Sequence, residues 1–219
     1  MNKIISWFSK IFLAPILQLL FVKEINGKEN LPKGNFILAS NHESHLDQVA
    51  NGIVCVPRKF NFIGQVDAYT GLGGAVRDVL YFFGGVIRLN RKSVESKKKT
   101  IKKAIKQLKE GYSLIIYPEG TRTRTGEMAK GKWGIVKLLF ATEVPILPVA
   151  LSGTFELLPP GGKLKFERKI KINIGKPLYF SEEIEKSKKL DKGSKEYKQL
   201  MCNITDKIMQ KIKELKETK

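Results

Sequence analysis

The chain has few residues that could hold a metal ion or form disulfides. Its 219 residues include two cysteines and two histidines. Cys55 and Cys202 are far apart in the sequence, and neither lies in a CxxC or zinc-ligand spacing. The composition therefore argues against a structural zinc site, and no metal site is expected. A reducing compartment fits best, and one disulfide between the two cysteines is the alternative.

Acidic residues are also scarce. The 40 Lys and Arg residues face 21 Asp and Glu residues, which gives a net charge of +19. A surplus of this size attracts polyanions such as an anionic bilayer, nucleic acid or phosphorylated ligands. There is no zinc-finger spacing and no RNP-type aromatic motif, so nucleic acid would rest on charge alone and is not expected. A basic peripheral membrane or nucleic-acid-binding module without catalysis remains the alternative of another class.

The sequence has no long uninterrupted apolar run. Residues 11–22 form an apolar stretch without charge, and Lys10 separates it from the apolar residues before it. A full membrane span needs about 20 apolar residues, and no small-residue cleavage site for a signal peptide follows. We therefore expect an N-terminal interfacial membrane helix over residues 1–22, kinked at Pro15, in front of one domain over residues 23–219. A helix docked on the core is the alternative.

His42 and Asp47 carry the clearest chemical signal. They are five residues apart and follow an apolar run that is typical of a buried strand. On a continuous helix five steps would leave the side chains roughly 140° apart, so they can meet only where a strand ends and a helix begins. Ser44 could be the N-cap of that helix. A carboxylate beside an imidazole makes a general base, whereas in the alternative Asp47 only caps the helix.

His45 lies outside this spacing, and we interpret it as a residue of the helix surface.

Apolar runs alternate with amphipathic segments along the chain, which predicts an α/β fold with a mostly parallel central sheet flanked by helices. In such sheets ligands bind beyond the carboxyl ends of the strands. The predicted strands are 22–27, 35–40, 61–63, 86–89, 113–117, 146–151 and 166–174. The predicted helices are 47–54, 75–83, 94–110, 131–142, 182–185 and 197–215, with a loop over 71–74 and a charged linker over 186–195.

Four short segments each place polar or charged residues beside an apolar run. They are Asn41-His42-x-Ser44-x-x-Asp47, then residues 85–91 ending in Arg91, Tyr117-Pro118-Glu119-Gly120-Thr121-Arg122, and Val144-Pro145-Ile146-Leu147-Pro148-Val149. Together they resemble the blocks of the glycerolipid acyltransferase family. All four occur in the family's order, and the similarity extends from about residue 27 to 177. The 1-acyl-sn-glycerol-3-phosphate acyltransferase branch is the most similar. Tyr117 stands where Phe is usual, and Arg88 places a charge in a normally apolar stretch.

This resemblance implies a role for each block. His42 and Asp47 would be catalytic, with His42 taking a proton from a glycerol hydroxyl as it attacks a thioester carbonyl. The acceptor would be lysophosphatidic acid, the donor acyl-CoA or acyl-acyl-carrier-protein, and the product phosphatidic acid. Glycerol-3-phosphate or another lysophospholipid is the alternative acceptor. The implied acceptor-binding residues are Arg91, Glu119, Gly120, Thr121 and Arg122, with Lys132 as a further phosphate contact.

Two further expectations concern the surroundings of this site. Arginine suits phosphate because its guanidinium group binds oxyanions bidentately and stays charged, but Glu119 and Arg122 could instead pair with each other as scaffold. Monotopic attachment at the cytoplasmic face of an anionic membrane is expected from the N-terminal segment and the positive charge.

Overall fold

The structure is a computed structural model, and it describes residues 1–65 and 85–218. The loop predicted over 71–74 and the helix predicted over 75–83 lie outside the described residues. The described strands are β1 (Val22–Asn26), β2 (Ile37–Ser40), β3 (Phe60–Gln65), β4 (Val86–Leu89), β5 (Ser113–Ile116), β6 (Ile146–Ser152) and β7 (Ile170–Ile174). The described helices are α1 (Lys3–Phe8), α2 (Ala14–Phe21), α3 (Leu46–Cys55), α4 (Val94–Lys109), α5 (Gly134–Thr142), α6 (Thr154–Leu157), α7 (Ser181–Lys189) and α8 (Lys195–Glu217).

The strands form one sheet in the order β1-β7-β6-β2-β5-β3-β4. Neighbouring strands are parallel except β6 and β7, which are antiparallel. Strand β2 lies at the centre, and all four of its residues are buried. The predicted α/β class with a mostly parallel sheet is thus confirmed.

Alternate residues of β2 pack into two apolar layers, because successive side chains of a strand point to opposite faces. Leu38 belongs to the layer that includes α3. Ile37 and Ala39 belong to the opposite layer, which includes α4, α5 and α8. Both faces of the sheet are therefore covered by apolar side chains, so groups that bind a ligand are expected at its edges.

Two boundaries near the C-terminus differ from the sequence prediction. The strand predicted over 166–174 covers only Ile170–Ile174, and Phe166 is 70% exposed. The charged linker predicted over 186–195 is helical as far as Lys189, because Ile184 and Ser187 lie one turn apart on a buried face. The lysines of that segment face outward, and their number concealed the helical period.

The C-terminal helix is longer than predicted at both ends. Helix α8 begins after Ser194, whose hydroxyl accepts the backbone N–H of Tyr197 (3.0 Å). The last turn is fixed to the sheet because the side-chain amide of Asn173 donates to the carbonyl of Leu215 (2.8 Å). This contact places the end of α8 beside the sheet.

The N-terminal segment is helical with an irregular turn. A π-helical turn over Ser9–Leu13 joins α1 to α2 directly before Pro15, whose ring cannot follow an ordinary α-helical turn. One face is docked: Ala14 and Phe21 are buried, and the Ser6 hydroxyl donates to the carbonyl of Arg58 (2.6 Å). The opposite face exposes large apolar side chains: Ile4, Trp7, Phe8, Ile11, Phe12, Leu13, Ile16, Leu19 and Leu20.

By length and composition, residues Lys3–Phe21 could cross a membrane. These 19 residues are the one such helix in the described part of the chain. The expectation that the interruption at Lys10 leaves this segment short of a full span is therefore not supported by its hydropathy. Unlike an isolated membrane-spanning helix, this segment has one face packed along the domain.

Candidate active site

Adjacent parallel strands bring the first and third sequence blocks together. Strands β2 and β5 pair in parallel, so both blocks begin at the same edge of the sheet. The backbone N–H of Thr123 donates to the carbonyl of His42 (2.9 Å), which joins the blocks directly. Asn41 fixes its segment to β6, since its side chain donates to the carbonyl of Leu151 (2.9 Å) and accepts the N–H of Leu151 (2.8 Å).

The structure places His42 and Asp47 in direct contact. The Nδ1 atom of His42 lies 2.8 Å from Oδ2 of Asp47. The same oxygen accepts the backbone N–H groups of Glu43 (2.6 Å) and Ser44 (2.8 Å). Asp47 is fully buried, whereas the His42 side chain is 11% exposed. Because a carboxylate can only accept, Nδ1 carries the proton and Nε2 is the free proton acceptor.

The helix that carries Asp47 begins later than the sequence predicts. Helix α3 starts at Leu46, so Ser44 is not its immediate N-cap. The Ser44 hydroxyl nevertheless accepts the N–H of Leu46 (3.2 Å), and it donates to the carbonyl of Leu158 (2.7 Å). The hydroxyl is thus engaged in holding the turn. His45 is exposed, as predicted.

Tyr117 contacts His42 in a way that the sequence did not reveal. The two rings stack with centroids 3.9 Å apart and an interplanar angle of 11°. The Tyr117 hydroxyl accepts a hydrogen bond from the side chain of Asn51 (3.3 Å). Burial and the neighbouring Asp47 carboxylate raise the pKa of Tyr117, so the phenol that packs against the imidazole stays uncharged. The sequence feature that could have indicated this contact is the position of Tyr117 directly after β5, the strand next to β2.

The buried carboxylate of Glu119 binds backbone amides of the site. Its Oε1 accepts the backbone N–H of His42 (2.8 Å), and its Oε2 accepts the N–H of Ala129 (2.8 Å). The residue is 2% exposed, and burial raises the pKa of its carboxyl group. The expected alternative in which Glu119 pairs with Arg122 is not what the structure shows. Glu119 has a structural role, but the groups that it binds are the backbone amides of His42 in the first block and of Ala129 in the loop after the third block.

We expect Glu119→Ala to lower the free energy of unfolding by about 1–3 kcal/mol, because the buried N–H of His42 loses its acceptor. Denaturant unfolding followed by circular dichroism measures this change. Glu127→Ala is the matched control, since Glu127 is exposed on the same loop and should change stability by less than about 0.5 kcal/mol. Equal stability of the two variants would contradict this structural role.

Gly120 and Lys132 are in close contact. Gly120 has φ +71°, and a Cβ there would lie 2.9 Å from Nζ of Lys132. The backbone N–H of Lys132 donates to the carbonyl of Pro118 (2.8 Å), which returns the chain to the start of the loop. Glycine therefore allows the positive φ and makes room for the ammonium group beside the turn.

The two arginines are at the same edge of the sheet but not at the same distance from His42. Arg122 is half-buried, and its positive charge reaches His45, where it adds to partial burial in lowering the pKa of that histidine. Arg91 is exposed and follows β4, three strand spacings from β2, or roughly 14 Å across the sheet. Thr121 is also exposed.

These cations share one property. Arg91, Arg122 and Lys132 form no ion pair with an acidic side chain anywhere in residues 1–65 and 85–218. Cationic groups near a histidine–carboxylate pair that have no acidic partner among the described residues are suited to an anionic ligand. No group of three or more metal-ligating side chains occurs among the same residues.

The fold and this edge describe an α/β protein with a candidate general base beside a candidate anion site. Sequence comparison gives the family: the chain matches Acyltransferase over residues 23–152, more than half of its length, and belongs to that family. The matched range contains every predicted site residue.

Named relatives agree with this assignment. The chain is 26% identical to chloroplastic 1-acyl-sn-glycerol-3-phosphate acyltransferase BAT2 of Brassica napus, over 82% of this chain and 52% of the relative. It is 28% identical to the 1-acyl-sn-glycerol-3-phosphate acyltransferase of Bacillus subtilis, over 93% of this chain and 92% of that protein. The chain thus spans about half the length of the plant relative and nearly all of the bacterial one.

A solved structure shares the fold. The crystal structure of the 1-acyl-sn-glycerophosphate (LPA) acyltransferase PlsC from Thermotoga maritima superposes with a TM-score of 0.60. The two sequences are 24% identical, and the match covers 99% of this chain and 80% of the other. This likeness supports the architecture of the sheet and its N-terminal helix.

Proposed function

We propose that this chain transfers a fatty acyl group from a thioester donor to the free hydroxyl of 1-acyl-sn-glycerol-3-phosphate and so forms phosphatidic acid. The single observation that carries the proposal is the 2.8 Å contact between His42 and Asp47 at the strand edge. Membership of the Acyltransferase family and the names of the relatives agree with it. No cofactor is required by this chemistry.

The reaction follows from the geometry of the dyad. Asp47 holds Nδ1 of His42, so Nε2 can accept the proton of the acceptor hydroxyl as its oxygen attacks the thioester carbonyl. Asp47 then stabilises the imidazolium ion that forms. Collapse of the tetrahedral intermediate expels the thiolate, which takes the proton from His42. Because the hydroxyl attacks directly, no covalent acyl-enzyme is needed.

The acceptor phosphate would be held by Arg91, Arg122 and Lys132. Arg122 and Lys132 lie on the loop that follows β5, next to His42, and Arg91 lies farther along the edge. A lysophosphatidic acid headgroup could contact the nearer cations while its hydroxyl faces the imidazole. Gly120 and Thr121 would border the phosphate, whereas Glu119 acts through the backbone of His42.

An acceptor and donor panel tests the proposal. Purified protein is mixed with labelled acyl-CoA or acyl-acyl-carrier-protein and with lysophosphatidic acid, glycerol-3-phosphate or lysophosphatidylcholine in lipid vesicles. We expect labelled phosphatidic acid from lysophosphatidic acid with at least one donor. Faster acylation of glycerol-3-phosphate or lysophosphatidylcholine would contradict the proposed acceptor. No transfer to any acceptor would leave the non-catalytic basic module as the better description.

We further propose that the protein lies on the cytoplasmic face of an anionic membrane, with nucleic acid not among its partners. The N-terminal helix supports this, since its outer face exposes Ile4 and Leu19 (81% and 68% exposed) while its inner face is docked on the domain. A helix fixed along the domain can enter the interface without crossing the bilayer. The net charge of +19 adds attraction to anionic lipid, which salt weakens.

Replacing exposed apolar residues tests this attachment without disturbing the docked face. We expect Ile4→Glu/Ile11→Glu/Leu19→Glu to move the protein from anionic vesicles into solution in a flotation assay at high salt. Lys98→Gln/Lys102→Gln/Lys109→Gln is the control, because it changes net charge by the same three units on exposed positions of α4. Retention of both variants on vesicles at high salt would show that the anchor lies elsewhere.

A further inference from the structure

Glu43 is a buried acid directly next to His42. The residue is 3% exposed, and its Oε1 accepts a hydrogen bond from the side chain of Asn41 (3.1 Å). The same oxygen is paired with Nζ of Lys216. A buried carboxylate is destabilising unless a counter-charge and hydrogen bonds compensate it. Lys216, at the far end of the chain, supplies that counter-charge.

Lys216 also joins the end of α8 to the loop that follows Arg122. Its Nζ donates to the carbonyl of Gly126 (3.2 Å) in addition to the pair with Glu43. The Lys216 side chain is 26% exposed, whereas that of Lys213, one turn earlier, is 62% exposed. One ammonium group therefore fixes three segments to each other: the helix end, the first block and the loop after the third block.

The backbone of Glu43 transmits this contact to the dyad. Its N–H donates to Oδ2 of Asp47 (2.6 Å), the oxygen that also holds His42. If the Glu43 side chain lost its partner and turned toward water, its backbone would move and Asp47 would lose one of its three donors. Burial and the Asp47 charge raise the pKa of Glu43 while Lys216 opposes them, so Glu43 depends on Lys216 to stay ionised in place.

We propose that Lys216 is a positioning residue for the His42–Asp47 dyad, acting by compensating the buried Glu43 carboxylate. The inference rests on the proposed function for its kinetic consequence but not for its structural one. Lys216 does not touch the reacting atoms. Its removal should therefore lower kcat and leave the KM for lysophosphatidic acid nearly unchanged.

Four variants of the full chain and one control separate charge compensation from simple packing. We expect Lys216→Met to lower kcat by about tenfold or more, with KM changed less than about twofold. Glu43→Gln should have a smaller effect, because the freed lysine can reach water. Glu43→Gln/Lys216→Met should recover most of the kcat, since it removes both charges. Lys216→Arg should retain most of the kcat, and Lys213→Met should equal wild type.

A second measurement does not depend on activity. The Nδ1 proton of His42, held by Asp47, should give a downfield proton resonance, which His45→Ala would assign by leaving it in place. We expect this resonance to be lost in Lys216→Met and kept in Lys213→Met and in the double variant. Melting temperatures check folding, and Lys216→Met should lower the melting temperature by roughly 5 °C or more.

The outcomes distinguish the two proposals. Loss of the resonance in Lys216→Met with an inactive wild type would support the positioning role and contradict the proposed reaction. An active wild type whose Lys216→Met variant matches Lys213→Met in kcat and in the resonance would overturn the positioning role. A double variant no better than Lys216→Met would overturn it too, because charge compensation requires recovery.

Discussion

His42→Ala should abolish acyl transfer while the fold stays intact. The imidazole is held by Asp47 through Nδ1, which leaves Nε2 to accept the hydroxyl proton, and loss of a general base lowers kcat by about 10²–10⁴-fold. Asp47→Asn should lose most of the activity as well, because an amide no longer stabilises the imidazolium ion. Single-turnover measurement with labelled acyl donor gives the rate, and circular dichroism confirms the fold.

His45 provides the control for this experiment. It lies three residues from His42, is exposed and is not held by Asp47. His45→Ala should change kcat by less than about threefold. Near-normal turnover by purified His42→Ala would refute the general-base mechanism. It would not by itself contradict the proposed reaction.

Loss of the cations should weaken binding of the phosphorylated acceptor. A charge-assisted hydrogen bond contributes roughly 1.5–3 kcal/mol, which corresponds to about a 10- to 150-fold increase in KM. We expect this increase for Arg122→Ala and Arg91→Ala. Arg122 directly precedes Thr123, whose backbone N–H donates to the carbonyl of His42, so its removal should also disturb alignment of the acceptor and lower kcat more than removal of Arg91 does.

The specificity of this effect can be measured with an acceptor that lacks the charge. Monoacylglycerol carries the same hydroxyl without the phosphate, so the arginine variants should lose their preference for lysophosphatidic acid and keep whatever rate they have on monoacylglycerol. Arg124→Ala is the control, because Arg124 is exposed on the same loop two residues after Arg122. An unchanged KM for lysophosphatidic acid in both arginine variants would show that the phosphate binds elsewhere.

The two proposals differ in their dependence on the chain's ends. The dyad and the cations lie within the matched range 23–152, whereas Lys216 lies beyond it. A truncated chain could therefore keep every predicted site residue and still lose the alignment of His42. The hydrogen bond from Asn173 to Leu215 holds the last turn of α8 beside the sheet, where Lys216 pairs with Glu43.

Much of the fold was readable from local patterns. The predicted bounds of the edge strand β4 match Val86–Leu89, although Ile87 is its one buried residue. The spacing of His42 and Asp47 was informative because it is incompatible with a helix and requires a strand-to-helix turn, which the structure contains. Where charge dominated the sequence, as in Ser181–Lys189, the helical period was hidden and the boundary was wrong.

The sequence by itself determined the α/β class, the four family blocks and the spacing that lets an imidazole meet a carboxylate. Only the tertiary structure decided which groups surround them. Tyr117 stacks on His42, Glu119 accepts the backbone N–H groups of His42 and Ala129, and Lys216 pairs with Glu43 across 173 residues of chain. Such contacts have no local signature, because sheet order and helix packing choose the partners after the local elements have formed.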